Sequence, residues 1–146
     1  AAMLAERIDR IDLMETRLRR VIALQPDHAH AHNALGYSLA DRKLRLDEAE
    51  ALILRALELS PEDPAILDSL GWVHHRLGNL QQAEQYLRQA FAAFPDHEVA
   101  AHLGEVLWLR GKQREARQVW RQALDAQPDS TILRETLLRL TGEEHP

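Results

Sequence analysis

Four prolines, Pro26, Pro61, Pro95 and Pro128, stand 35, 34 and 33 residues apart, and the chain between them repeats in register. Ala49, Ala83 and Ala116 each lie 12 residues before the proline that closes their unit. Gly71 and Gly104 lie a further 12 before Ala83 and Ala116, whereas Gly36 lies 13 before Ala49. The extra residue falls within the turn Asp41-Arg42-Lys43-Leu44-Arg45. A unit of about 34 residues is too short to bury a core alone, so such units survive by stacking on their neighbours. The period therefore predicts a solenoid.

Each unit reads as two amphipathic helices. Leu67, Leu70, Gly71 and His74 recur at i, i+3, i+4 and i+7, which puts them on one helical face. Gly78-Asn79 interrupts that pattern with residues that tolerate the left-handed backbone ending a helix. A second apolar face follows through Leu80, Ala83, Leu87 and Ala90 before Pro95 stops it. Gly71, Ala83 and Ala90 are small where neighbouring helices must come close.

These positions resemble the tetratricopeptide repeat (TPR). Leu67, Leu70-Gly71, His74, Ala83, Leu87, Ala90 and Pro95 take the places of its signature in the middle unit. Leu103-Gly104, Leu107, Gly111, Ala116, Trp120, Ala123 and Pro128 take them in the third, and Leu35-Gly36, Leu39, Ala49, Ile53, Ala56 and Pro61 in the first. Departures are His32 and Ala100 at the first bulky place, and His74 at the usual tyrosine. The resemblance implies an all-α, right-handed superhelical solenoid forming one domain. Its expected parts are a partial repeat over 1–26, full repeats over 29–62, 63–96 and 97–129, a capping helix over 130–141 and a frayed tail over 142–146.

Leu18 and Val21 precede Pro26 as Leu87 and Ala90 precede Pro95, so Ile11–Leu24 is expected to be the second helix of a repeat. Ala1–Ile8 is then the remnant of its first helix, with more repeats upstream and an apolar patch where they are missing. Asp27, Asp63 and Asp96 are the expected N-caps, and Pro64 suits the first helical position. In the last helix Leu137 or Leu138 falls where the repeats carry Gly, with Arg134, Glu135 and Arg139 solvating its outer side.

Composition excludes several functions. The net charge is −5 with both signs interspersed, which lacks the clustered Lys and Arg of a nucleic-acid footprint. No apolar run is long enough to span a membrane, so no membrane contact is expected. Zero cysteines leave neither disulfides nor thiolate metal ligands. His28 and His32 stand at i, i+4, but a zinc site wants three or four ligands, so no metal is expected. Glycines sit singly rather than in a phosphate-binding loop, and no serine has a nucleophile's context. Neither an enzyme nor a cofactor is expected. The charges on the second helices, Glu84 and Arg88 among them, read as a solvated convex face.

The resemblance also implies where a partner would sit. In TPR solenoids the first helices line a concave groove, and residues two, five, nine, twelve and thirteen of each repeat commonly face it. Those places hold His30, Asn33, Tyr37, Ala40 and Asp41, then Ala65, Asp68, Trp72, His75 and Arg76, then Glu98, Ala101, Glu105, Trp108 and Leu109. The binding residues expected from this set are His30, Asn33, Tyr37, Asp68, Trp72, His75, Arg76, Glu105 and Trp108. Tyr37, Trp72 and Trp108 are not required by the signature, and aromatic side chains make strong anchors. Arg76 stands nearly alone among carboxylates, so the groove should reject a carboxylate-rich tail and favour a neutral, apolar or basic segment.

A narrower resemblance rests on Asp68-Ser69-Leu70-Gly71-Trp72 and on the run from Glu98 to Trp108. Both are similar to the C-terminal repeats of proteobacterial TPR outer-membrane lipoproteins of the LbcA type, adaptors of a carboxyl-terminal processing protease. This implies an outer-membrane-tethered adaptor in the periplasm whose partner is such a protease or a cell-wall hydrolase; a cytoplasmic location is the alternative. The competing expectation is a structural module that self-associates through its exposed repeat faces.

Overall fold

The computed structural model describes residues 2–143 and 145–146, with side chains from residue 10 onward, residue 144 apart. The described residues form eight α-helices: α1 (Ala2–Leu24), α2 (Ala29–Asp41), α3 (Leu46–Leu59), α4 (Pro64–Leu77), α5 (Leu80–Ala93), α6 (His97–Leu109), α7 (Gln113–Ala126) and α8 (Thr131–Thr141). Three hairpins, α2/α3, α4/α5 and α6/α7, stack in order. Helices α2, α4, α6 and α8 also pack on one another in series, making one layer, while α3, α5 and α7 make the other. The chain is an all-helical solenoid.

Local chemistry sets the boundaries. Asp63 caps α4 by accepting the Ala65 N–H at 2.9 Å, with Pro64 in the first turn. Gly78 ends that helix at φ +85, and the Asn79 N–H returns to the His74 carbonyl at 2.8 Å, the bond that closes a left-handed C-cap. The first hairpin has no glycine in its turn. Its extra residue is absorbed by Lys43 at φ +53 and Arg45 at φ +47, left-handed conformations that cost a non-glycine residue on the order of 1–2 kcal/mol.

The seam inside each hairpin explains the repeating small residues. A Cβ on Gly71 would stand 2.6 Å from Leu87 Cγ, and one on Gly104 would stand 2.0 Å from Trp120 Nε1. Leu87 and Trp120 are fully buried, as are Ala83 and Ala116 beside them. The helix backbones approach closely, and one large side chain from the second helix fills the space the glycine leaves. At the ends of the stack the rule lapses. Leu138 occupies the glycine place of α8 and is 51% exposed, because among the described residues no second helix packs over it; Leu137 is the buried one.

Several expectations are corrected. The predicted break near Ile8 does not exist: α1 is one helix from Ala2 to Leu24, since no Gly or Pro interrupts it; Ala1 lies outside the described residues. His28, not Asp27, caps α2, its Nδ1 accepting the Ala31 N–H at 3.0 Å. His32 Nε2 meets the Pro26 carbonyl at 2.8 Å, so both histidines of the i, i+4 pair hold the repeat junction. Asp96 occupies the N-cap of α6 but makes no side-chain capping bond. Glu84 is not solvated: it is 6% exposed and held by Arg88 and Arg110 at 2.8 Å and Lys112 at 3.0 Å. The tail folds back far enough for Arg117 to donate to the Pro146 carbonyl at 3.1 Å.

His74 takes the tyrosine place of its repeat. It is buried, stacks on Tyr86 with ring centroids 5.6 Å apart, and has Nδ1 3.4 Å from Asn79 Nδ2. Burial pushes its imidazole below the usual histidine range, and Glu50 at 3.9 Å offsets this only in part.

Candidate partner-binding groove

The layer of α2, α4, α6 and α8 carries two adjoining hollows that share Tyr37. The first, about 250 Å³, lies between the N-terminal halves of α2, α4 and α6; Asn33, Ala65, Asp68, Val99 and the exposed Phe94 and Glu98 line it. The second, about 460 Å³, lies toward the C-terminal halves and reaches α8 through Ile132, Glu135 and Arg139. Repeat places two, five and nine supply most of these residues, because each successive first helix presents the same face.

The second hollow is floored by one polar and aromatic network that ties all four helices. The Trp72 ring stacks with His75 at 4.4 Å and with His102 at 4.1 Å. Its Nε1 donates to Asp41 Oδ1 at 3.3 Å, and the Arg76 guanidinium lies over its face at 4.9 Å while also reaching Asp41 at 3.5 Å. His102 Nδ1 meets Asp68 Oδ1 at 2.8 Å, and His75 Nε2 lies 3.0 Å from Glu105 Oε2. Arg139 donates to the other oxygen of Glu105. Burial alone would raise the Glu105 carboxyl, but the close His75 imidazole and the Arg139 guanidinium outweigh it and hold the group below the usual carboxylate range. Burial, together with the negative charges of Asp41, Asp68 and Glu98, pushes the Tyr37 phenol up.

The structure brings Asn33, Tyr37, Asp68, Trp72, Arg76 and Glu105 together along the hollows, with His75 behind Trp72. Two predicted residues stand apart. His30 is exposed and lines neither hollow. Trp108 packs 5.9 Å from Trp120 under the Arg117 guanidinium, so it belongs to the α6/α7 seam. Trp72 is only 6% exposed and works as packing between helices; Tyr37 and Phe94 are the rings a partner can reach.

The expectation of a nearly unrelieved acidic groove is also corrected. Asp41, Asp68 and Glu105 each have a basic partner, and Arg139 joins Arg76. Sequence reasoning set Arg139 and Glu135 on the solvated side of the cap. Places two, five and nine of α8 are Ile132, Glu135 and Arg139, so extending the groove register one helix further would have found them. His102 had no such signal, because it stands at place six and enters through the rotation between repeats. Among the described residues no cluster of three His, Cys, Asp or Glu could hold a metal, and no helix is long and apolar enough to cross a membrane.

Comparison with known proteins follows the same geometry. Two family models described as tetratricopeptide repeat match residues 27–96 and 69–131. The TPR repeat-containing protein PA4667 of Pseudomonas aeruginosa is 60% identical over 145 residues, 99% of this chain and 25% of that protein. Human tetratricopeptide repeat protein 7A is 39% identical over 75 residues, 51% of this chain and 9% of that protein. The chain thus spans about a quarter or less of these relatives. Among solved structures, TTC0263, a thermophilic TPR protein of Thermus thermophilus, superposes with a TM-score of 0.77 at 22% identity, over 90% of this chain and 75% of that one. Residues 41 to the end of MamA from Desulfovibrio magneticus RS-1 superpose with a TM-score of 0.69 at 16% identity, over 86% and 71%. At such identities these two structures speak for the fold alone.

Proposed function

The chain belongs to the tetratricopeptide-repeat family, and from that premise we propose that it is a non-catalytic adaptor module holding an extended segment of a partner protein along its concave layer. The fold supports a protein-interaction scaffold. The observation that carries the finer reading is the first hollow, where accessible Tyr37 and Phe94 line an open surface together with Asn33. A side-chain amide carries both a donor and an acceptor, as an extended peptide backbone does. The rings beside it supply apolar area with few rotatable bonds.

The similarity carried by Asp68–Trp72 and Glu98–Trp108 extends the proposal. It makes the module part of a periplasmic adaptor, tethered to the outer membrane elsewhere in the full-length protein, that presents cell-wall hydrolases to a carboxyl-terminal processing protease. The test is affinity capture from a periplasmic extract, read by mass spectrometry, with wild type beside a folded Tyr37→Ala/Phe94→Ala variant. A processing protease or cell-wall hydrolase retained by wild type alone is the expected result. Equal retention by both would move the binding surface off this groove.

A second reading has its own observation. Leu13, Met14 and Leu24 project from α1 into solvent, Leu24 with 73% of its surface exposed, a face suited to self-association. Its signature is a dependence of the sedimentation coefficient on protomer concentration; a monomer that captures its partner contradicts it.

A further inference from the structure

We propose that Arg139 is the positioning residue of the groove floor: it holds the Glu105 carboxylate out of line with His75, and so keeps the His75 ring flat against Trp72. This rests on the groove reading and adds what that reading leaves open, a part for α8 in the binding surface. Helix α8 is anchored by other means, through the fully buried Leu133 and Leu137 and the contact of Ser130 Oγ with His97 Nδ1 at 2.6 Å. The Arg139 side chain, 57% exposed, lines the second hollow and donates to Oε1 of Glu105.

His75 is the group that calls for an explanation. Both of its ring nitrogens are buried, and neither makes a hydrogen bond among the described residues, an arrangement that costs stability. Yet Oε2 of Glu105 stands only 3.0 Å from its Nε2. Distance does not prevent the bond; direction does. Arg139 takes the opposite oxygen, Oε1, and a carboxylate is rigid and planar, so fixing one oxygen fixes the other. Glu105 is 5% exposed, and among the described residues its side chain pairs with His75 and Arg139 alone. Asp41, Arg76, His102 and Glu135 share the hollow, but none of them pairs with Glu105 among the described residues, so none substitutes for Arg139.

The unbonded imidazole rests instead on the indole, with centroids 4.4 Å apart and planes 13° from parallel. Trp72 in turn donates to Asp41 on α2, stacks with His102 on α6 and lines the second hollow with Tyr37. A Glu105 released from Arg139 would gain a charge-assisted bond once the His75 ring turned to aim its N–H at the carboxylate. That turn gives up the flat stack. An exposed residue of the last helix thereby fixes an indole two helices away.

NMR on the labelled full chain tests this without a partner. Arg139→Met keeps the stem and removes the charge at an exposed position. It should shift the Trp72 indole N–H, assigned by its loss in Trp72→Phe, and move the His75 ring nitrogens toward hydrogen-bonded values. The Glu105 carboxyl midpoint, followed by ¹³C, should rise by about one pH unit or more, as loss of an adjacent opposite charge implies. Arg139→Lys, which retains charge and donor, should bring both signals back toward wild type. In a Glu105→Met background, Arg139→Met should move the indole no further, because the two act along one path. An indole signal and a Glu105 midpoint unmoved by Arg139→Met would overturn the positioning role and leave the groove standing. Equal shifts at Trp120 and Leu137 with a loss of stability would also overturn it, since Arg139 would then merely hold α8 in place. In the capture from periplasmic extract, undiminished retention by Arg139→Met despite a shifted Trp72 indole would overturn the groove reading instead.

Discussion

Helices α4 and α6 each turn two unlike faces to their neighbours. The face toward the second helix of the hairpin is closed by one repeated solution, Gly71 against Leu87 and Gly104 against Trp120, with alanines alongside. The face toward the groove repeats nothing: Asp68, Trp72 and His75 on α4 meet His102 and Glu105 on α6. The seam is apolar and set by steric contact, so any hairpin with the same few residues closes the same way. The groove is polar and aromatic, and its contacts run between repeats. Stability is concentrated in the first face and individuality in the second.

The seam should break hardest. Gly104→Leu forces a side chain into the space of Trp120, and the circular dichroism signal is expected to lose cooperative unfolding, since backbone and indole cannot both yield. Trp120→Ala empties the same space and should cost about 3–5 kcal/mol by urea denaturation. A milder loss in either would mean that the hairpins close more loosely than these contacts imply.

Next comes the ionic knot on the outer layer. Glu84→Gln leaves Arg88, Arg110 and Lys112 around a neutral amide and should cost about 1–3 kcal/mol. Burial raises the Glu84 carboxyl but the bonds from Arg88 and Lys112 hold it below the usual range. Its contribution is therefore present above the unfolded carboxylate pKa and lost as pH falls through the lower folded one. An acid titration of stability in which Glu84→Gln keeps the wild-type slope would contradict this.

His74 gives a smaller effect with a different sign of cause. Its folded pKa is depressed by burial, so the unfolded chain binds the proton more readily. Stability should fall as pH drops below about 6.5, the ordinary histidine value, until the folded pKa is reached. His74→Phe, stacking on Tyr86 without a proton to gain, should flatten that slope in melts taken between pH 7 and pH 5.

The smallest effect on stability belongs to the groove rim. Phe94 is 58% exposed, and Phe94→Ala should change unfolding by no more than about 0.5 kcal/mol while weakening partner capture. A large loss of stability there would erase the distinction between the two faces.

What could be read from the sequence follows the same division. The glycine–alanine register and the closing prolines were legible because sterics impose them in every unit, and they led to the hairpins and their order. The α1 helix was misread because the period was extrapolated to a stretch with no turn residue in it. In the groove, Asn33, Tyr37, Asp68 and Arg76 were found by register, but Trp72 was expected at the surface and lies beneath it. His102 was missed because it meets its partners across repeats from a place the register does not mark, and Arg139 because the groove register stopped at the third repeat although α8 continues it. Trp108 failed the opposite way, since its register pointed to the groove while Trp120 and Arg117 draw it into the seam.

Urea unfolding of Tyr37→Ala/Phe94→Ala beside Leu87→Ala tests the separation of the two faces most directly. Leu87→Ala should lose about 2–5 kcal/mol, and the groove double variant about 1–2 kcal/mol at most, as partly exposed truncations do. Equal losses would show that the groove face holds the solenoid together as much as the seam, and would contradict the account.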